Sequence, residues 1–139
     1  MRVLIDVNIF EDVARKRQDW AESLAVLTRC RQKDIEGCVA AWTVAVFFYF
    51  RRRHLDERRA RQETIRAMRG LRILSFTAEV ILAALSDDRF SGFEDAIQFH
   101  TAIQAGVEGI VTRNIKHFEV VADEIEVLSP SDFLARFLG

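Results

Sequence analysis

The stretch Arg2-Val3-Leu4-Ile5-Asp6-Val7-Asn8 decides how the rest of the chain is read. Its apolar centre suits one short buried strand and breaks off at an acid, and Val7 to Arg17 then follows a helical pattern. The same alternation of a short apolar run with a longer amphipathic stretch recurs to the end of the chain, which predicts βαβ units on a parallel sheet. A second helix is expected over Trp20 to Lys33, where Trp20, Leu24, Leu27 and Cys30 recur at helical spacing and Gly37 marks the stop. Cys38 to Ala41 makes a second strand, and Thr43 is expected to cap a third helix reaching about His54. Asp56 to Gly70 is an arginine-rich helix closed by Gly70, followed by a strand at Arg72 to Leu74 and a helix at Thr77 to Leu85. Ser91-Gly92-Phe93-Glu94 has the pattern of a capping box, opening a helix to Ala105 with Gly106 just past its end. Gly109 to Thr112 and Glu126 to Leu128 complete the strands, the latter on an edge, and Pro130 starts a last helix carrying Phe133, Leu134 and Phe137. The expected architecture is a single domain over residues 1–139, a three-layer α/β/α sandwich with a four- or five-stranded, mainly parallel sheet.

Half of the 139 residues are hydrophobic, enough for one core without disulfide or metal staples. Twenty basic residues against 21 acidic ones leave a formal net charge of -1, so any surface for nucleic acid has to be local. The six glycines form no phosphate-cradling loop, which argues against a nucleotide-binding α/β domain of that kind. Cys30 and Cys38 share no metal-binding or redox spacing and read as reduced, structural thiols. Val3-Leu4-Ile5 is too short for a signal sequence. Val39 to Phe50 is interrupted by Thr43, runs into Arg51-Arg52-Arg53 and falls short of the roughly 20 residues a membrane helix needs. The expectation is a soluble, cytoplasmic protein.

In an open parallel sheet, ligands sit outside the carboxyl ends of the strands, where the winding direction reverses. The polar residues placed there are Asp6 and Asn8 after the first strand, Thr112, Arg113 and Asn114 after the fourth, and Glu94 and Asp95 in the first turn of the helix between them. Each acid also has a bland reading. Asp6 suits a helix cap, Glu94 the capping box, and Asp95 a favourable charge at a helix N-terminus. Their convergence on one crevice is what turns the reading toward chemistry.

Asp6-Val7-Asn8 resembles the Asp-Thr-Asn opening of PIN domains. Phe93-Glu94-Asp95-Ala96-Ile97-Gln98 is similar to their central acidic helix, and Thr112-Arg113-Asn114-Ile115-Lys116-His117-Phe118 to their late Thr-Arg-Asn-x-x-Asp-Phe segment. Val127-Leu128-Ser129-Pro130-Ser131-Asp132-Phe133-Leu134 resembles their closing strand and proline-headed helix. The resemblance implies a Mg²⁺- or Mn²⁺-dependent endoribonuclease of VapC toxin type, acting on RNA, homodimeric and held by a cognate antitoxin. It implies Asp6 and Asp95 as metal ligands, Asn114 as a third catalytic residue, and Asn8, Glu94, Thr112 and His117 in support. Hard Mg²⁺ commonly takes one or two carboxylates together with waters and substrate phosphate.

Two positions depart from that pattern. Val46 stands where the family places a glutamate, nothing acidic occurs from Gly37 through Leu55, and Glu36 belongs to the opposite end of the sheet. His117 replaces the aspartate of Asp-Phe and suits softer metals than Mg²⁺. The alternative is a catalytically weakened or inactive PIN-fold protein that binds RNA or a protein partner. Arg51, Arg52, Arg53, Arg58 and Arg113 are the arginines expected to contact nucleic acid or a partner, against the blander reading of a solvated helix face. Phe47-Phe48-Tyr49-Phe50 points all round its helix and predicts burial on more than one side, in the core and at a dimer interface.

Overall fold

The first strand, β1 (Arg2–Ile5), runs into helix α1 (Val7–Arg15) through Asp6, whose carboxylate caps the helix by accepting from the Val7 amide. Helix α2 (Trp20–Arg29) then leads to β2 (Glu36–Ala40), α3 (Ala41–Arg52), α4 (Glu57–Met68) and β3 (Arg72–Leu74). The second half holds α5 (Ala78–Ser86), α6 (Phe93–Gln104), β4 (Gly109–Val111), a 3₁₀ segment (Ile115–Val121), β5 (Glu126–Leu128) and α7 (Pro130–Arg136). This computed structural model describes residues 1–32 and 34–137. Lys33, where the sequence reading ends the second helix, lies outside them.

All four strand pairings are parallel, and the order across the sheet is β3-β2-β1-β4-β5. The chain builds outward from β1 on one side, then crosses back to add β4 on the other. The winding reversal therefore lies between β1 and β4, where a ligand crevice is expected. Side-chain alternation splits the core into two layers. Val3, Ile5, Val39 and Val111 face one cluster with Ile9, Phe10, Phe47 and Phe133, while Leu4, Cys38, Ala40 and Ile110 face the other with Ile97, Phe99 and Phe118. Helices thus cover both faces of a five-stranded sheet, and the sandwich expected from the sequence is present.

Several boundaries differ, each for a local reason. Thr43 does not cap α3; Ala40 occupies the cap position without a side-chain bond, and Thr43 is buried inside the helix. Gly37 does not stop α2 but lies inside β2, where an added Cβ would sit 2.6 Å from Cys30 Cβ and 3.0 Å from its carbonyl oxygen. Close approach of the α2 terminus to the sheet explains this glycine. Gly70 and Gly106 do take the left-handed backbone expected past helix ends, with φ of 81° and 68°. The aromatic run of α3 is graded: Phe47 is buried, Phe48 and Phe50 are half-buried, and Tyr49 is exposed. Both cysteines are buried and free, and among the described residues no helix is long and apolar enough to cross a membrane.

Candidate metal centre at the switch point of the sheet

Asp6 is the anchor of the crevice. Its amide donates to Val111 O at 3.0 Å, fixing the end of β1 against the end of β4. The side chain is 5 % exposed and accepts four hydrogen bonds. Oδ1 takes them from Val7 N at 2.7 Å and Gln98 Nε2 at 3.2 Å, and Oδ2 from Thr112 Oγ1 at 2.8 Å and Asn8 Nδ2 at 3.3 Å. A carboxylate has about four lone-pair sites, so these bonds orient this one, and a cation there would displace or share the longest of them, the one from Asn8. Burial pushes its pKa above the ordinary aspartate value, and the Glu94 charge adds to the rise; the Thr112, Val7 and Gln98 hydrogen bonds oppose it.

Asp95 faces Asp6 from the first turn of α6 across a cavity of about 460 Å³ that both line. Burial raises its pKa too, followed by repulsion from the Asp6 carboxylate, while His117 opposes the rise. His117 Nδ1 lies 3.2 Å from Asp95 Oδ2. Gln98, one helical turn beyond Asp95, bridges the site: its Nε2 also donates to Thr43 Oγ1 at 2.7 Å, and among the described residues none donates to its buried Oε1. Asn114 reaches the cavity wall and is held by its amide donating to Thr112 Oγ1 at 3.0 Å. Val46 lines the same cavity, with no charge to offer.

A family model described as PIN domain matches residues 2–116. The chain belongs to the PIN domain family. Its fold is shared with the VapBC2 complex from Rickettsia felis bound to a promoter DNA fragment, at TM-score 0.73 and 18% identity over 93% of this chain and 98% of that one. A toxin–antitoxin complex from Klebsiella pneumoniae is similar at TM-score 0.68 and 21% identity, covering 92% and 97% of the two chains. VapC20 from Mycobacterium tuberculosis, a Sarcin-Ricin loop cleaving toxin, aligns at TM-score 0.65 and 14% identity over 88% and 95%. No curated protein sequence matches the chain.

In this PIN domain the crevice brings together Asp6, Asn8, Glu94, Asp95, Asn114 and His117, all lining one cavity, with Thr112 buried directly behind Asp6. Glu94 is free of the capping role the sequence assigns it, because Gly92 and not Ser91 caps α6 and no side chain closes the cap. Its carboxylate is exposed at the mouth. Among the described residues no three His, Cys, Asp or Glu side chains are grouped to hold a metal ion. The donors lining the cavity are the carboxylates of Asp6, Asp95 and, at the mouth, Glu94, with the amide of Asn114 and the imidazole of His117. That set is oxygen-rich, carries mutual repulsion and fits a hard cation that keeps waters and takes phosphate, rather than a fully caged one.

The arginines separate into distinct roles. Arg113 is not a free contact residue: its Nε pairs with Asp12 Oδ2, and its Nη2 donates to Asp19 O at 2.7 Å and Ser23 Oγ at 2.9 Å. Asp12 is 3 % exposed and also binds Ser23 Oγ and Arg17. Arg51 is likewise turned inward, 6 % exposed and bonded to Glu63 at 3.1 Å. Arg52 bonds Leu55 O, Arg53 lies over the Phe50 ring at 5.3 Å, and Arg58 is exposed. Sequence reasoning missed Gln98 and Asp12. Gln98 was accessible, since a polar side chain at i+3 from Asp95 shares its helix face.

Proposed function

We propose that this PIN domain is a divalent-metal-dependent endoribonuclease of VapC toxin type, hydrolysing RNA phosphodiester bonds, with Asp6 and Asp95 holding Mg²⁺ or Mn²⁺. The observation that carries the reading is a buried Asp6 carboxylate and a half-buried Asp95 carboxylate that repel each other in one cavity at the winding reversal. Two like charges held together with little water around them favour a counterion. A bound divalent ion would supply an acidified water and charge neutralisation on the phosphate. The four donors to Asp6 hold its carboxylate in one orientation. Asn114 is placed to orient a water or a phosphate oxygen, and His117, paired to Asp95, to exchange a proton at the open side. RNA, a cognate antitoxin and a second copy of the chain are the partners, in the cytoplasm. The toxin–antitoxin assemblies formed by the structural neighbours from Rickettsia felis and Klebsiella pneumoniae support the antitoxin.

Val46 favours a second reading. An apolar wall where a third carboxylate would add charge lowers affinity for the ion and suits a weakened or inactive domain that binds RNA or a protein partner. Cleavage of single-stranded RNA with Mn²⁺, with Mg²⁺ and with EDTA, by the wild type, Asp6→Asn and Val46→Glu, separates the two. The nuclease reading expects cleavage that EDTA stops and Asp6→Asn removes. A silent wild type that gains activity on Val46→Glu supports the second reading. Cleavage that persists in EDTA contradicts both.

A further inference from the structure

A second cavity of about 220 Å³ adjoins the carboxylate crevice, sharing Val7 and Asn8 as its wall. The two differ in sign. Asp6, Glu94 and Asp95 line the first, whereas Arg15, Arg17, Arg53 and His54 line the second. Arg17 is neutralised by Asp12 at 3.0 Å. Glu11, the one acid in the wall, is buried, and Arg51 is the foremost of the charges that hold its pKa down against that burial. Arg15, Arg53 and His54 are left over. All three are exposed, and among the described residues none of their side chains enters a hydrogen bond or an ion pair. Phe50 steadies Arg53, whose guanidinium lies 5.3 Å from the ring centre. A cleft lined by one sign of charge focuses its field and gathers counter-ions, so this one collects an anion. Arg15 stands seven residues after Asn8 on α1, two turns along the same face and about 10 Å away at ~1.5 Å per residue. Helix α1 thus leads from the acidic cavity to the basic one.

We propose that this basic cavity is a phosphate subsite that grips the backbone of single-stranded RNA a few nucleotides from the scissile bond. About three stacked nucleotides cover that distance at ~3.4 Å of rise each, and fewer do so in an extended strand. A guanidinium is a rigid fork of N–H donors that matches phosphate oxygens, and Arg15 and Arg53 supply two such forks beside the His54 imidazole. Phosphates carry no sequence, so the subsite sets the register of the strand and not the choice of base. An acidic peptide would satisfy the same arginines. A strand already held by one phosphate at the neighbouring cation, however, brings the next phosphate at a high effective concentration. Calling the strand a substrate rests on the nuclease reading above; the backbone contact does not.

The test is fluorescence anisotropy with a labelled uridine decamer in EDTA, over a series of salt concentrations. Arg15→Ala and Arg53→Ala are each expected to weaken binding about fivefold and to reduce the slope of log affinity against log salt by about 0.7. An adenosine decamer loses the same factor. A decamer with an uncharged methylphosphonate backbone shows no difference between the wild type and either variant. Arg69→Ala, at an exposed position before β3 and so at the other rim of the parallel sheet, leaves the slope unchanged. Variants that match the wild type in affinity and slope overturn the proposal, as does a loss confined to one base. A glutamate decamer that loses affinity on Arg15→Ala while RNA does not also overturns it, and assigns the cavity to an acidic protein. A reduced slope without cleavage on adding Mn²⁺ keeps the subsite and removes the nuclease; cleavage with an unchanged slope does the reverse.

Discussion

Asp95→Asn lowers metal-dependent RNA cleavage by at least about 100-fold without lowering the unfolding temperature. Outer partners of metal ligands already account for about 10- to 100-fold in affinity or activity, and Asp95 is proposed to act more directly. The expected stability result follows from the same charge. Burial and the Asp6 carboxylate raise the folded-state pKa of Asp95, so the folded chain binds more protons than the unfolded one across that window. Stability from this group is complete below the ordinary carboxylate value and is lost as pH rises through the raised value. Asparagine removes that penalty at neutral pH and gives up a half-exposed His117 contact and a favourable charge in the first turn of α6, each a small loss at the surface. Rate measurements with Mn²⁺ and thermal melts between pH 4 and pH 8 check both halves. A variant that cleaves normally, or a wild type whose stability rises with pH through that window in step with a titration of Asp95, would count against the assignment.

Arg113→Ala should destabilise the fold by about 2–4 kcal/mol, because removing one member of a buried charge cluster leaves the other charge short of a partner. Asp12 would retain Arg17 and Ser23, which keeps the loss toward the lower end of that range. The lost bonds to Asp19 O and Ser23 Oγ also untie the strand-loop carrying Asn114 from α2, and the lost Asp12 pair unties it from α1. Chemical denaturation gives the number directly. A change of stability near zero, with RNA affinity reduced, would restore Arg113 to the contact surface where its sequence context places it.

The fold was legible because each strand is a short apolar run with a clear end. Val3-Leu4-Ile5 breaks at Asp6, and Gly109-Ile110-Val111 gives way to Thr112. Asp6 and Asp95 were legible as well, since topology alone puts residues after β1 and at the head of α6 at one rim. What could not be read are the partners that arrive from far along the chain. Thr43 has the composition of a cap, but its hydroxyl accepts from Gln98, 55 residues away, from inside a helix. Ser91 and Glu94 carry a capping-box pattern that Gly92 replaces, because cap geometry depends on backbone angles that composition does not set. Arg113 sits in an arginine-bearing motif, while its partner Asp12 lies 101 residues earlier. Pattern reading sees neighbours on one helix face and not pairs made by packing.

The claim beneath all of this is that Asp6 and Asp95 share one cation. Calorimetric titration of the metal-free protein with Mn²⁺ tests it without any appeal to activity. One ion per chain is predicted, with affinity falling at least about tenfold in Asp6→Asn and again in Asp95→Asn. Absence of binding at millimolar Mn²⁺, or binding that neither substitution weakens, would contradict it.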